Sequence, residues 1–343
     1  MLFIVLSGFI LALAAPGLVR LGRGRTAWLI AVLPLGLLLY FFSFVNQVAS
    51  GESLLFSYTW VPSLGVNLSF QLDGLSLIFS LLITGIGVLV FIYSGGYLNP
   101  AQELGRFYSH LLIFMASMLG LVLADNLIAL FVFWELTSIS SYLLIGFYRD
   151  RDSARAAALQ ALLITGGGGL ALLAGFLLIG QAAGSMQLSE LLKTDLLRSS
   201  PMYMPILLLI LAGAFTKSAQ VPFYFWLPNA MEAPTPISAY LHSATMVKAG
   251  IYLLARFNPI LGGTPLWEHL VSPVGALTML TGASLALVQT DLKRILAYST
   301  VSALGMLVFM LGMGGAEFIQ AAVVFILAHA LYKGALFLVA GAV

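Results

Sequence analysis

The sequence predicts an all-α polytopic membrane protein with about eleven transmembrane helices. Of its 343 residues, 61% are hydrophobic and only 8% charged, and the mean hydropathy is +1.04. A spanning helix needs about 20 predominantly apolar residues. Such runs occur at 2–19, 26–46, 74–97, 106–124, 126–146, 156–182, 204–221, 236–256, 267–289, 292–313 and 318–343. They are continuous rather than alternating, which rejects a closed β-barrel, the other spanning structure that satisfies its backbone in lipid.

Taken in order, the first run is followed by its arginines rather than preceded by them, and so predicts a retained helix. A cleaved signal peptide, with Ala12 to Ala15 as the cleavage site, is the alternative. Residues 47–72 are the longest non-spanning stretch. Ser57–Trp60 and Val66–Phe70 alternate around Pro62 and Gly65, which predicts an external β-hairpin. In the sixth run, Gly166–Gly169 reads either as close helix packing or as a flexible, water-admitting weak point such as a π-bulge. Segment 187–198 has the spacing of a short amphipathic helix at the outer surface. The stretch from Phe215 holds Pro222, Pro228, Pro234 and Pro236, which cannot all lie in one regular helix. It predicts a seventh helix broken just after Lys217, where freed carbonyls would stabilise a cation. No polar linker divides the chain, so 1–343 reads as a single membrane domain.

Charge is placed unevenly. Alternate loops on one side hold Arg20, Arg23, Arg25, Arg106, Arg149, Arg151, Arg155, Lys293 and Arg294, against Lys193, Arg198 and Arg256 on the other. The positive-inside rule puts the larger set in the cytoplasm and the N-terminus outside, as a multi-pass protein of the cell (cytoplasmic) membrane. The chain has no cysteine, which excludes disulfides, thiolate-held iron–sulfur clusters and zinc–thiolate sites.

Glu135, Lys217, Lys248 and Lys333 lie within apolar runs. A charge at the centre of a bilayer helix costs at least ~2.5–3.5 kcal/mol, so such groups pair and line ion or proton paths. Glu135 is the one acid in a clear span and reads as the partner of a buried lysine. The plainer alternative is a packing carboxylate satisfied by Thr137, Ser138, Ser140 or Ser141. Lys217, beside the break, reads as a proton carrier whose affinity depends on whether a carboxylate is near; snorkelling to an interface is the alternative. Lys248 shares its run with His242, six residues earlier and about 120° around a helix. His329 and Lys333, at i and i+4, face the same way. Both histidines read as relay groups or as hydrogen-bonded packing residues. Ser238, Ser243, Thr245, Ser299, Thr300 and Ser302 are placed to hold water between these groups, while His110 and His269 receive no role. Phosphate loops, zinc-protease motifs and basic surfaces for nucleic acid are absent from the sequence, and no cofactor or metal is expected.

Phe-Trp-Glu-Leu-Thr-Ser-Ile-Ser-Ser-Tyr-Leu-Leu-Ile-Gly at 133–146 resembles the glutamate helix of Mrp-type multisubunit Na⁺/H⁺ antiporters, and its Leu-Thr-Ser-Ile-Ser portion is similar to the A rather than the D component. Lys217-Ser-Ala-Gln-Val-Pro, then Trp226 to Pro236, His242 to Gly250, and Gln289 to Thr300 resemble the core shared with antiporter-like subunits of respiratory complex I and with membrane-bound hydrogenases. The resemblance implies two inverted five-helix repeats, with 1–97 as an N-terminal unit, 98–256 as the first repeat and 257–343 as the start of an incomplete second one. It also implies a Glu135–Lys217 pair and a lateral relay through His242 and Lys248 to His329 and Lys333. The family's next ionisable residue lies on a broken twelfth helix, which this sequence does not reach.

The expected function is therefore that of a proton-translocating subunit of a multisubunit Na⁺/H⁺ antiporter, a secondary transporter rather than an enzyme, with other membrane subunits, H⁺ and Na⁺ as partners. The alternatives are the corresponding proton-pumping subunit of NADH:quinone oxidoreductase or a related hydrogenase, and a proton-inert membrane anchor. With no later helix to cover it, the His329–Lys333 face is expected to contact further protein.

Overall fold

A computed structural model describes residues 1–22, 25–61, 66–98 and 103–343. Arg23, Pro62 and Gly65 lie outside the described residues. The chain opens with α1 (Leu2–Gly22), α2 (Thr26–Phe42) and the short α3 (Val45–Ala49). Strands β1 (Leu54–Val61) and β2 (Val66–Leu72) form the antiparallel hairpin, with Phe56 opposite Phe70 and a register shift between Thr59 and Val61. Then come α4 (Gly74–Tyr97), α5 (Leu104–Leu123), α6 (Leu127–Ile145) and α7 (Asp152–Ala183).

Next are α8 (Leu188–Leu191), α9 (Tyr203–Lys217), a 3-10 turn at Phe223–Phe225, α10 (Trp226–Asn229) and a second 3-10 turn at Ala230–Glu232. The remaining helices are α11 (Thr235–Ser243), α12 (Met246–Leu261), α13 (Pro265–Leu287), α14 (Leu292–Met313) and α15 (Ala316–Ala342). Among the described residues, nine helices are long and apolar enough to cross a membrane. The seventh and eighth apolar runs are the two that are interrupted, as α9 followed by turns and as α11 followed by α12.

Helix α5 lies at the centre of the bundle, with every residue from Leu111 to Leu123 buried except the half-buried Ile113. Helices α13 and α14 approach backbone to backbone: a Cβ at Gly275 would meet the Gly305 carbonyl, and one at Gly305 the Gly275 carbonyl. Small residues at such crossings let dispersion and weak polar contacts hold helices together where lipid supplies no hydrophobic drive.

The ends of the bundle differ chemically. At one end Arg106 donates to the Phe147 carbonyl at 2.9 Å, and Lys293 donates to the carbonyls of Met231 and Ala233, both at 2.6 Å. At the other, the hairpin is joined to the bundle through an isolated bridge between Phe70 and Ala124, and Asn126 bridges Gln187. Segment 187–198 is helical only over Leu188–Leu191; its start is held by Asp125, whose carboxylate accepts from the Ser189 amide at 2.8 Å and hydroxyl at 3.1 Å. Arg256 is not in an outer loop but in α12, where it is 5% exposed and ion-paired with Asp73. Burial alone would raise the Asp73 carboxyl, but the hydrogen bonds and charge of Arg256 outweigh it and hold the group below the ordinary carboxylate value.

Candidate proton-translocation site

Asn126 caps α6, accepting from the amides of Ile128 and Ala129 at 2.9 and 3.3 Å. That helix carries Trp134 and Glu135 at mid-depth. The hydroxyls that could satisfy Glu135 are otherwise engaged: Thr137 and Ser138 donate to the Trp134 carbonyl, Ser140 to Leu136 and Ser141 to Ser138. Glu135 Oε1 is buried with no hydrogen-bond partner among the described residues. It points at α7, where a Cβ at Gly169 would collide with it. A Cβ at Gly168 would collide with Thr216 of α9 in the same way. The glycine run is thus a regular helical surface that seats Glu135 and α9, and α7 continues through it without a π-bulge.

Lys217 is wholly buried at the last position of α9. Its ammonium donates to the Trp134 carbonyl at 3.0 Å and to Ser138 Oγ at 2.7 Å, and lies 5.0 Å from the centre of the Trp134 ring. It is within electrostatic reach of Glu135, but the two form no ion pair. The helix breaks where the four prolines place it, with Ala219 in the left-handed region at φ +52°. Several of the carbonyls freed there accept from protein donors. Phe215 accepts from the Gln220 amide at 2.9 Å, Thr216 from Trp226 Nε1 at 2.9 Å, and Ser218 from Gln220 Nε2 at 2.9 Å. The Lys217 ammonium turns to α6.

Sequence reasoning puts His242 and Lys248 on one helix; the structure separates them. Ala244 and Thr245 interrupt the run, with Thr245 at φ −125° and ψ −98°. Its hydroxyl donates to the Tyr240 carbonyl at 2.6 Å. A helical angle of 120° between the two residues therefore does not apply. His242 sits between the rings of Trp226 and Phe337, 6.5 and 6.2 Å away, and neither ring nitrogen has a partner among the described residues. Lys248, also fully buried, donates to the Ile326 carbonyl of α15 at 2.9 Å.

His329 and Lys333 do face the same way, and the chain itself covers them: they are 0% and 2% exposed, packed within α11, α14 and α15. The expectation that this face needs further protein is corrected, because the folding-back of α15 onto α11 and α14 supplies the cover. His329 lies within electrostatic reach of Lys248 and Lys333, and neither of its ring nitrogens has a partner among the described residues. Lys333 donates to Ser299 Oγ and to the Leu296 carbonyl, the latter at 3.2 Å. Of the hydroxyls expected to hold water, Ser299 bonds Lys333, Ser243, Thr245 and Thr300 bond backbone, and Ser238 Oγ is buried without a partner among the described residues.

The six residues lie on α6, α9, α11, α12 and α15, with Glu135 within electrostatic reach of Lys217 and His329 within reach of Lys248 and Lys333. Trp226, which sequence reasoning leaves without a role, bridges the Thr216 carbonyl to the face of His242. A cavity of about 560 Å³ opens at the basic end beneath the broken segment, lined by Tyr97, Arg151, Glu232, Thr235, Asp291 and Lys293 among others.

A membrane bundle with buried lysines and two interrupted helices is the architecture shared with antiporter-like membrane proteins. The chain belongs to the NADH:quinone oxidoreductase/Mrp antiporter transmembrane family, whose model matches residues 124–343. The model for the N-terminus of complex I chain 5 matches residues 59–108. Among its relatives are the A1 component of the Na⁺/H⁺ antiporter of Staphylococcus haemolyticus, 48% identical over 99% of this chain, and the A component of that of Alkalihalophilus pseudofirmus, 47% identical over 98%. The chain spans 44% of the length of each. It superposes on the Mrp complex from Dietzia with a TM-score of 0.92 at 42% identity, covering 98% of this chain and 36% of that one. An archaeal membrane-bound sulfane sulfur reductase matches with a TM-score of 0.87 at 25% identity, covering 99% and 70%.

Proposed function

We propose that this chain is the proton-translocating portion of the A component of an Mrp-type antiporter, exchanging H⁺ for Na⁺ or another cation within a larger membrane complex. One observation carries the reading. A fully buried lysine, Lys217, donates to a carbonyl and a hydroxyl without a direct ion pair among the described residues, while the Glu135 carboxylate keeps an unsatisfied oxygen within electrostatic reach. An arrangement this short of a direct ion pair has two natural states. With Glu135 drawn to Lys217, the ammonium is favoured; with Glu135 withdrawn against Gly169, it is not. Alternating between them takes up and releases a proton, and the change of charge biases Lys248 and Lys333. The cavity at the basic end offers the cytoplasmic entrance, and residues 98–256 act as the first repeat.

Glu135→Gln should strongly impair Na⁺-driven proton movement in vesicles holding the assembled complex, because the amide cannot tune Lys217. Glu135→Asp should be milder. Parent-like rates in both would make the carboxylate structural.

The N-terminus is placed outside and the arginine-rich end in the cytoplasm. Because native cysteine is absent, a cysteine at Arg151 should react with a membrane-impermeant maleimide only from the cytoplasmic side, and one at Ser53 only from outside. Reversed labelling would contradict the orientation.

A further inference from the structure

We infer that Asp73 and Arg256 are positioning residues for Lys248, acting along one face of α12 through Tyr252. The inference rests on the reading of Lys248 as a proton-relay group. Lys248, Tyr252 and Arg256 follow at i, i+4 and i+8, so they lie on one side of the helix. Each is tied to a different element. Lys248 donates to the Ile326 carbonyl of α15 at 2.9 Å, and Tyr252 donates to the Val122 carbonyl of α5 at 2.8 Å. Arg256 donates through Nε to the Tyr252 hydroxyl at 3.1 Å and through both terminal nitrogens to the Asp73 carboxylate, one of these at 3.0 Å.

Asp73 is itself fixed. It caps α4, accepting from the Ser76 amide at 3.0 Å, while its own amide donates to Ser76 Oγ at 2.8 Å. At its inner end α12 is cut from α11 by the break at Ala244 and Thr245. Gly250 packs backbone-close on Ala214 of α9 and on Ser218, and the Arg256–Asp73 pair fixes the other end of α12. On the α15 side a crevice of about 340 Å³ is lined by Asp73, Arg256, Ala322 and Ile326. A planar bidentate pair is suited to fixing a helix end, since it fixes distance and angle together. A slide along the axis would shift the Lys248 backbone relative to the Ile326 carbonyl that its ammonium bonds.

The other charged groups facing this ladder are Asp125, near Tyr252 and held by Ser189, and His329, near Lys248. None of the Arg256 and Tyr252 hydrogen bonds involves Glu135 or Lys217.

The test uses the assembled complex in vesicles, recording initial Na⁺-driven antiport rates across a range of pH. Asp73→Asn is expected to lower the maximal rate on the order of 10- to 100-fold, the scale of a misplaced reacting group. It should also displace the pH profile by about half a unit or more. Arg256→Lys, which keeps the charge but not the fork, should recover part of the rate. Tyr252→Phe, which removes one hydroxyl and leaves the packing, should displace the profile in the same direction to a smaller extent, and it carries the test alone should Asp73→Asn not assemble. Parent-like profiles in Asp73→Asn and Tyr252→Phe beside an inactive Lys248→Ala would overturn the positioning role by itself. A parent-like Lys248→Ala would overturn the relay reading and this inference with it.

Discussion

Substituting leucine for Gly169 is expected to abolish antiport while the neighbouring Gly167→Ala leaves it intact. The two positions are two residues apart on α7 and differ in what they face. A Cβ at Gly169 falls on Glu135 Oε1, whereas one at Gly167 meets nothing within 4 Å. A larger side chain at Gly169 must therefore displace the carboxylate from its seat, at an overpacking cost of about 1–3 kcal/mol. Gly167→Ala relieves helix entropy and should be neutral or stabilise the helix by up to about 1 kcal/mol. Gly168→Val should resemble Gly169→Leu, since its side chain strikes Thr216 beside Lys217. Rates in vesicles, normalised to assembled complex on a native gel, distinguish these outcomes. Equal behaviour of Gly167→Ala and Gly169→Leu would mean that the glycine surface does not shape the site.

The second large effect is expected from Lys248→Ala. Lys248 is fully buried and bonded to α15 through the Ile326 carbonyl. Under the proposed relay, alanine there removes the protonatable group on α12, and antiport should fall close to the level of protein-free vesicles. His242→Ala should be milder, because His242 touches its described neighbours through ring faces rather than hydrogen bonds. If Lys248→Ala transports normally, protons do not pass laterally through Lys248.

Much of this frame is legible in the sequence because it depends on local chemistry. Apolar runs mark the spans, four prolines mark the break after Lys217, and alternation marks the hairpin strands. What is not legible is non-local. No glycine or proline announces the break at Ala244 and Thr245. It is made by Ser243 and Thr245 hydroxyls that compete for the carbonyls of Ala239 and Tyr240. Arg256 reads as a loop arginine until the fold brings it to Asp73, 183 residues away. The glycine run admits two readings until α6 and α9 are seen against it. The cover over His329 and Lys333 likewise depends on the return of α15 to α11, which no residue pattern along α15 states. Segment 187–198 has a helical apolar spacing, yet Asp125 draws its start into a bridge and leaves one helical turn.

The central claim, that Lys217 is the proton carrier beside the break, is tested most directly by Lys217→Ala in the assembled complex. Among the described residues Lys217 makes no direct ion pair, so alanine removes a donor from the Trp134 carbonyl and Ser138 Oγ and leaves Glu135 free to take up a proton, and assembly should be retained. The measurement is Na⁺-driven collapse of a pH gradient in vesicles, with the amount of complex determined in the same membranes. If Lys217 carries the proton, assembly is normal and antiport falls to the level of protein-free vesicles. Parent-like antiport by a normally assembled Lys217→Ala complex would contradict that role.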